Sequence, residues 1–248
     1  MKKKELIFLQ SIGPRLGGLL TKDIGELKRI FLSPGPIFDP EDRMDDYWGY
    51  TEAFYSVGFR PGDVVQVTFN YHLSPAGLMF EEPLRNLGCA SIPAGPTDPG
   101  TQLDIMQKLR VSGYVGTASY LMHLAPEGPR KKGINLRKDL FQEVAFVTGE
   151  RLSEKMRNQL EKKFDIILRQ GYGTADVGCI GYECFHKTGL HISNRCYVEI
   201  CHPDTGIPLK DGEVGEIVVT SFNKTYPLIR LATGDLSYID RAPCACGR

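Results

Sequence analysis

The 248-residue sequence has no charge excess of either sign, no long apolar run, no internal repeat and no low-complexity tract. Lys plus Arg and Asp plus Glu each total 30, so the formal net charge is zero. A nucleic-acid partner, which calls for a basic excess, is not expected. After Met1-Lys-Lys-Lys the apolar run Leu6-Ile-Phe-Leu9 is too short to cross a membrane and lacks a small-residue cleavage pattern. No membrane partner is therefore expected, and the cytoplasm is the expected compartment. Seven cysteines, an odd number, argue against a secreted disulfide scaffold. What is present is a hydrophobic content of 42% beside 24% charged residues, enough for a sizeable core in one large or two smaller domains.

Apolar strands alternate with amphipathic stretches over the first two thirds of the chain. Val64–Phe69, Cys89–Pro93, Gly113–Gly116 and Val144–Thr148 read as strands, with helices between them from Pro75, Thr101 and Ser119. Ser153 is placed to cap a further helix through Phe164. This alternation predicts parallel strands with helices on both faces. The first 30 or so residues read as helix interrupted at Gly13-Pro14, followed by a strand at Arg29–Leu32. A helix is expected from Asp39 or Asp42 through Tyr55, its aromatics serving as core. After Gly178 the pattern becomes short strands at Leu190–Ile192, Tyr197–Cys201, Glu216–Thr220 and Leu228–Leu231, separated by turns. The expected class is α/β: a mostly parallel sheet flanked by helices over residues 1–178, then a smaller antiparallel β subdomain over 179–248.

One stretch carries chemistry. The strand Ile166–Leu168 leads into a turn expected at Gly171 and Gly173, which presents Tyr172, Thr174 and Asp176. Glycines let backbone N–H groups approach a ligand, and Asp supplies the hard oxygen that Mg²⁺ takes. Such a group at the carboxyl end of a strand suits a nucleotide or an acyl phosphate. Read alone, the stretch is equally an ordinary strand–loop with a turn aspartate.

Several segments together resemble one family, the adenylate-forming enzymes of the phenylacetate–coenzyme A ligase type. Tyr226-Pro-Leu-Ile-Arg-Leu-Ala-Thr-Gly-Asp-Leu236 is similar to the family's Pro-Leu-Ile-Arg-x-x-Thr-Gly-Asp-Leu segment, whose Asp accepts hydrogen bonds from the ATP ribose. The resemblance puts that role on Asp235. Tyr172-Gly173-Thr174-Ala175-Asp176 is similar to Tyr-Gly-x-Thr-Glu, with Ala for Thr and Asp for Glu. It implies that Tyr172, Gly173 and Thr174 line the nucleotide site and that Asp176 holds Mg²⁺. The missing Thr hydroxyl removes a bond to phosphate worth about 1–3 kcal/mol. Thr148-Gly149-Glu150 resembles the adenine-binding segment, and His72 falls beside the acyl pocket of the family, although a lone loop histidine is more often structural. The family's phosphate loop, Ser-Ser-Gly-Thr-Thr-Gly-Lys-Pro, is replaced by Ser33-Pro-Gly-Pro-Ile-Phe-Asp-Pro40, in which two prolines remove backbone donors and Asp39 repels phosphate. The family's small C-terminal lid domain, which carries the lysine that activates the carboxylate, is not included in this sequence.

The cysteines suggest a second site. Cys179, Cys184, Cys244 and Cys246 could be gathered by folding, and Pro243-Cys-Ala-Cys-Gly-Arg248 is similar to a segment of many such ligases. Cys184, Cys244, Cys246 and His191 would make a closed, structural Cys₃His zinc site. His186 is the rival ligand, and unpaired reduced thiols are the plain alternative. Cys89, Cys179, Cys196 and Cys201 read as small core residues.

Taken together, the resemblance implies the large domain of an ATP-dependent acid–coenzyme A ligase. Its substrates would be a small carboxylic acid of the phenylacetate kind, ATP and coenzyme A, with Mg²⁺ and a structural Zn²⁺. The other expectation is a catalytically degenerate, zinc-stabilised remnant that binds a ligand or a partner. A homodimer is compatible with the sequence, which says nothing firm about assembly.

Overall fold

The computed structural model describes residues 1–248, with the side chains of all but residues 131 and 132. In chain order its elements are α1 (Lys3–Ile12), β1 (Arg29–Ser33), β2 (Ile37–Glu41), α2 (Thr51–Val57), β3 (Val64–Val67), α3 (Ala76–Asn86), β4 (Ala90–Pro93), α4 (Pro99–Lys108) and β5 (Gly113–Gly116). Then follow α5 (Ala118–Leu124), β6 (Val144–Val147), α6 (Glu154–Phe164), β7 (Ile167–Thr174), β8 (Gly178–Tyr182), β9 (His191–Ile192), β10 (Cys196–Cys201), β11 (Gly215–Ser221) and β12 (Leu231–Ser237).

Among the described residues the strands form three sheets. The largest has seven strands in the order β4-β3-β5-β6-β7-β8-β9. Pairing is parallel from β4 to β7 and antiparallel from β7 to β9. Side chains alternate between its faces, as strand geometry requires. Val144 and Phe146 point into a core with α2 and α3 residues such as Phe54 and Phe80. Ala145 and Val147 point into the opposite core with Leu103, Leu121 and Leu160 of α4, α5 and α6. Both faces are covered, so the central strands β5 and β6 are buried at every position rather than half polar. The second sheet, β10-β11-β12, is antiparallel, and the third is the hairpin β1-β2. The predicted class is the one found: a mostly parallel sheet between helices, with smaller antiparallel sheets beside it.

Helix starts follow the caps. Ser153 accepts from the Met156 N–H and Asp98 from the Thr101 N–H. Four local expectations are corrected. The first helix ends at Ile12, because Leu16, Gly17 and Gly18 all take left-handed backbone angles. The helix expected from Asp39 or Asp42 begins only at Thr51. Residues 37–41 instead pair with β1, and Asp46, itself at positive φ, accepts the Tyr50 and Thr51 N–H groups and so starts α2. The strand expected at Leu228–Leu231 lies later, at Leu231–Ser237, after Arg230 at positive φ.

The fourth correction concerns the central stretch. Gly171 and Gly173 do not make a turn; β7 continues through them and pairs with β8, with a register shift between Tyr172 and Gly173. Neither takes a positive φ. A Cβ at Gly171 would collide with the Phe146 ring, and one at Gly173 with the Tyr50 hydroxyl and the Gly178 backbone. These glycines serve close packing between strands, and the turn falls at residues 175–177.

A candidate nucleotide cleft and a cysteine–histidine cluster

Parallel strands end with their carboxyl edges in register, and loops leaving that edge form a crevice. Here Thr148, Gly149 and Glu150 leave β6, while Gly171 to Gly173 continue β7 past its parallel partner. The three-stranded sheet docks against the β8 side through Ile180, Ile200, Ile217 and Val219, which carries β12 across the opening. The result is a cleft of about 750 Å³ lined by Thr148, Gly149, Glu150, Gln170, Tyr172, Gly173, Asp235 and Tyr238 among others.

Within it the Tyr172 hydroxyl donates to Asp235 Oδ2 at 2.7 Å and lies 3.1 Å from Thr233 Oγ1. Burial pushes the Tyr172 phenol well up, against the opposing effect of its Thr233 hydrogen bond and with the Asp235 hydrogen bond and charge adding to the rise, so it remains a donor at any ordinary pH. Glu150 is already engaged: its carboxylate accepts from the Ser119 N–H at 2.5 Å and the Ser119 hydroxyl at 2.8 Å. Gly149 has φ +83°, which a side chain would strain. The loop's φ reversal is what turns Glu150 toward α5.

Other sequence-assigned residues lie elsewhere. Thr174 does not line the cleft; its hydroxyl accepts from the Val177 N–H in the turn. His72 is exposed on the β3–α3 connection, outside the cleft lining. Asp176 is also outside it, with its side chain only 1% exposed and ion-paired to Lys3 Nζ at 2.8 Å. Beside it Asp39 of β2 is fully buried, with no hydrogen-bond partner on either oxygen. A divalent ion at Asp176 does not fit that arrangement: Mg²⁺ keeps octahedral geometry and several waters, and the carboxylate already faces an ammonium. Sequence reasoning did not find Lys3, whose run of neighbouring lysines gives no hint that one of them is directed inward.

The cysteine cluster is assembled. One ligand atom each from Cys184, His191, Cys244 and Cys246 lies within 4.8 Å of all the others. Cys184 and Cys244 sulfurs stand 3.8 Å apart, and Cys246 Sγ is 3.4 Å from His191 Nε2. Tetrahedral zinc with Zn–S near 2.3 Å requires ligand separations of about 3.7 Å, so this donor set fits the ion. Burial and then the nearby Arg248 lower the His191 pKa, which favours the neutral imidazole a metal needs. His186 is not in the group. Arg248 itself ion-pairs Glu52 of α2 at 3.0 Å and contacts the Tyr182 hydroxyl. The end of the chain is thereby brought back onto the large sheet.

Comparison with known proteins agrees with this picture. A family model described as AMP-binding enzyme matches residues 47–224. The phenylacetate–coenzyme A ligase of Thermus thermophilus is 31% identical over 198 residues, which is 78% of this chain and 44% of that protein. The Escherichia coli K12 phenylacetate–coenzyme A ligase is 29% identical over 204 residues, 77% of this chain and 45% of that one. The chain thus spans less than half the length of these curated relatives. A solved open conformation of 2-hydroxyisobutyryl-CoA ligase in complex with 2-HIB-AMP and CoA superposes with a TM-score of 0.92 at 22% identity, covering 100% of this chain and 56% of that one. A fold with its crevice at the strand ends, a Tyr172–Asp235 pair inside it and a family match over most of the length lead to one conclusion: the chain belongs to the AMP-binding enzyme family of adenylate-forming acyl–coenzyme A ligases.

Proposed function

We propose that the chain is the nucleotide-binding large part of an ATP-dependent acid–coenzyme A ligase acting on a small, phenylacetate-like carboxylic acid. The observation that carries this is the convergence of Gly149, Glu150, Tyr172, Gly173 and Asp235, from three different strands, on one cleft. In the reaction a carboxylate oxygen attacks the α-phosphorus of ATP and pyrophosphate leaves. The coenzyme A thiol then attacks the acyl carbon and AMP leaves. The chain offers no nucleophile of its own for either step, so its contribution is orientation and charge placement. Asp235 accepts from the ribose hydroxyls, exchanging its bond from Tyr172 for bonds from the ligand. Gly149, Glu150, Tyr172 and Gly173 hold the adenine end. Thr174 lies one residue beyond them.

Titration calorimetry with AMP tests this. AMP is expected to bind at or below millimolar concentration, and Asp235→Asn is expected to weaken it by roughly tenfold, since hydrogen bonds to a charged acceptor are worth about 1.5–3 kcal/mol. No heat with AMP would sink the nucleotide reading.

The degenerate, non-catalytic reading has one observation in its favour. Ser33-Pro-Gly-Pro is the turn of a plain hairpin in which Ser33 pairs with Ile37, and Pro34 and Pro36 have no N–H to offer a triphosphate. We propose in addition that Cys184, His191, Cys244 and Cys246 bind one structural zinc. Metal analysis of purified protein should return one zinc per chain, and Cys246→Ser should lose it.

A further inference from the structure

Asp39 and Asp176 meet at the start of α1, outside the cleft lining. Taking a carboxylate out of water costs several kcal/mol unless a cation or donors accompany it. Asp39 has none on either oxygen, and Asp176 has only Lys3. Burial, followed by the Asp176 charge, pushes the Asp39 carboxyl up to about 7, against smaller opposing effects of Ser33 and Lys3. Two buried carboxylates therefore share one ammonium and, below neutral pH, one proton.

The backbone that carries Lys3 is held in place. Leu6, a turn further along α1, is fully buried against Ile37, Tyr226, Leu228 and Leu231. The Met1 carbonyl accepts from the Ala232 N–H at 2.8 Å, the Met1 amino group donates to the Arg230 carbonyl at 2.9 Å, and Lys2 Nζ donates to the Pro203 carbonyl at 3.0 Å. The start of α1 is stitched to the edge of β12, so Lys3 is delivered to Asp176 by a packed element. The neighbouring β1–β2 turn carries Pro34 and Pro36, which have no N–H for phosphate oxygens.

We infer that Lys3 takes the place of a divalent cation at Asp176, so that a nucleotide in the cleft is bound without a magnesium ion held by this carboxylate. The identity of the ligand rests on the nucleotide reading proposed above; the exclusion of the ion does not. A second positive charge brought to Asp176 would face the ammonium at contact distance, and a side chain this buried leaves no room for the waters that Mg²⁺ retains.

Magnesium titration of the zinc-saturated protein by calorimetry tests the exclusion, because magnesium does not compete for thiolates. Wild type is expected to take up no magnesium at millimolar concentration. Lys3→Met, which keeps the apolar stem, is expected to gain one site, and Lys3→Met with Asp176→Asn to lose it again. Magnesium binding by wild type that disappears in Asp176→Asn would overturn the inference, as would a folded Lys3→Met that binds none. If Lys3→Met does not fold, wild type still decides: it should take up no magnesium, and AMP affinity should be the same with and without MgCl₂. Magnesium-dependent tightening of AMP that Asp176→Asn abolishes would overturn the inference. Failure of AMP itself to bind would overturn the nucleotide reading and leave the magnesium titrations to stand on their own.

Discussion

At the residue scale the chemistry of this chain turns on which carboxylates are available. Asp235 faces the cleft and is held by one hydroxyl that a ligand can displace; Asp176 is closed off by Lys3. Tyr172→Phe should therefore affect AMP binding less than Asp235→Asn, since it removes a competitor for Asp235 along with a ring-edge donor. Asp39 offers a separate test. Its folded pKa stands near 7 against an ordinary value of 3.8, so the folded state binds its proton more tightly than the unfolded state does. Stability from this group is greatest below pH 4 and is lost as pH rises toward 7, by on the order of 4 kcal/mol in total. Asp176, Lys3, Tyr226 and Tyr47 are the charged or titratable groups that face it. Asp39→Asn should remove this slope. Urea midpoints measured between pH 5 and 8 should diverge, with the variant gaining on wild type as pH rises; parallel curves would exclude the effect.

Individual elements are held in register by two devices. The first is Arg157 of α6, fully buried, which meets Glu183 with a bidentate pair at 2.9 and 2.6 Å. Arg157 also donates to the Leu168 carbonyl, and Glu183 accepts from the Gln170 N–H at 2.9 Å. One ion pair thus ties α6, β7 and the end of β8 together directly behind the cleft. Glu183→Ala should cost about 3–5 kcal/mol, because it leaves a buried guanidinium with only the exposed Glu154 as counter-charge; chemical denaturation would measure it. The second device is the absence of side chains at Gly171 and Gly173. Gly171→Ala should cost about 1–3 kcal/mol by forcing the Phe146 ring aside, and the same denaturation curves would reveal it. The sequence marks both glycines as special, yet a turn and a close strand crossing need the same residue. The ring that excludes a Cβ comes from β6, and no local pattern announces it.

For the molecule as a whole, the last residues matter beyond their number. Cys244 and Cys246 close on Cys184 and His191, and Arg248 then reaches Glu52 and Tyr182. If zinc binds there, a chelator should lower thermal stability, by about 2.7 kcal/mol for each hundredfold excess of metal over its Kd before chelation. A Cys246→Ser variant should not respond to the chelator. Among the described residues no helix is long and apolar enough to cross a membrane.

The sequence by itself determined the alternation of β3 to β7 with their helices, because strand and helix periods and caps are local properties of a few neighbouring residues. It also pointed to the family and to most of the cleft, since Tyr172-Gly173 and Thr233-Gly-Asp235 are contiguous motifs. The cysteine–histidine group was legible for a similar reason: few residue types bind metal, and only a few of them are present. What only the tertiary structure decided was how these pieces face one another. Local propensity for helix at 39–41 yielded to pairing with β1, the helix began only at Thr51, and His72 fell outside the cleft. Asp176, in a motif that the resemblance gives to a metal, met an ammonium from the other end of the chain. The meeting of Lys3 and Asp176 depends on the packing of α1 against β12. That contact is long-range, and the burial that makes it consequential exists only in the folded molecule.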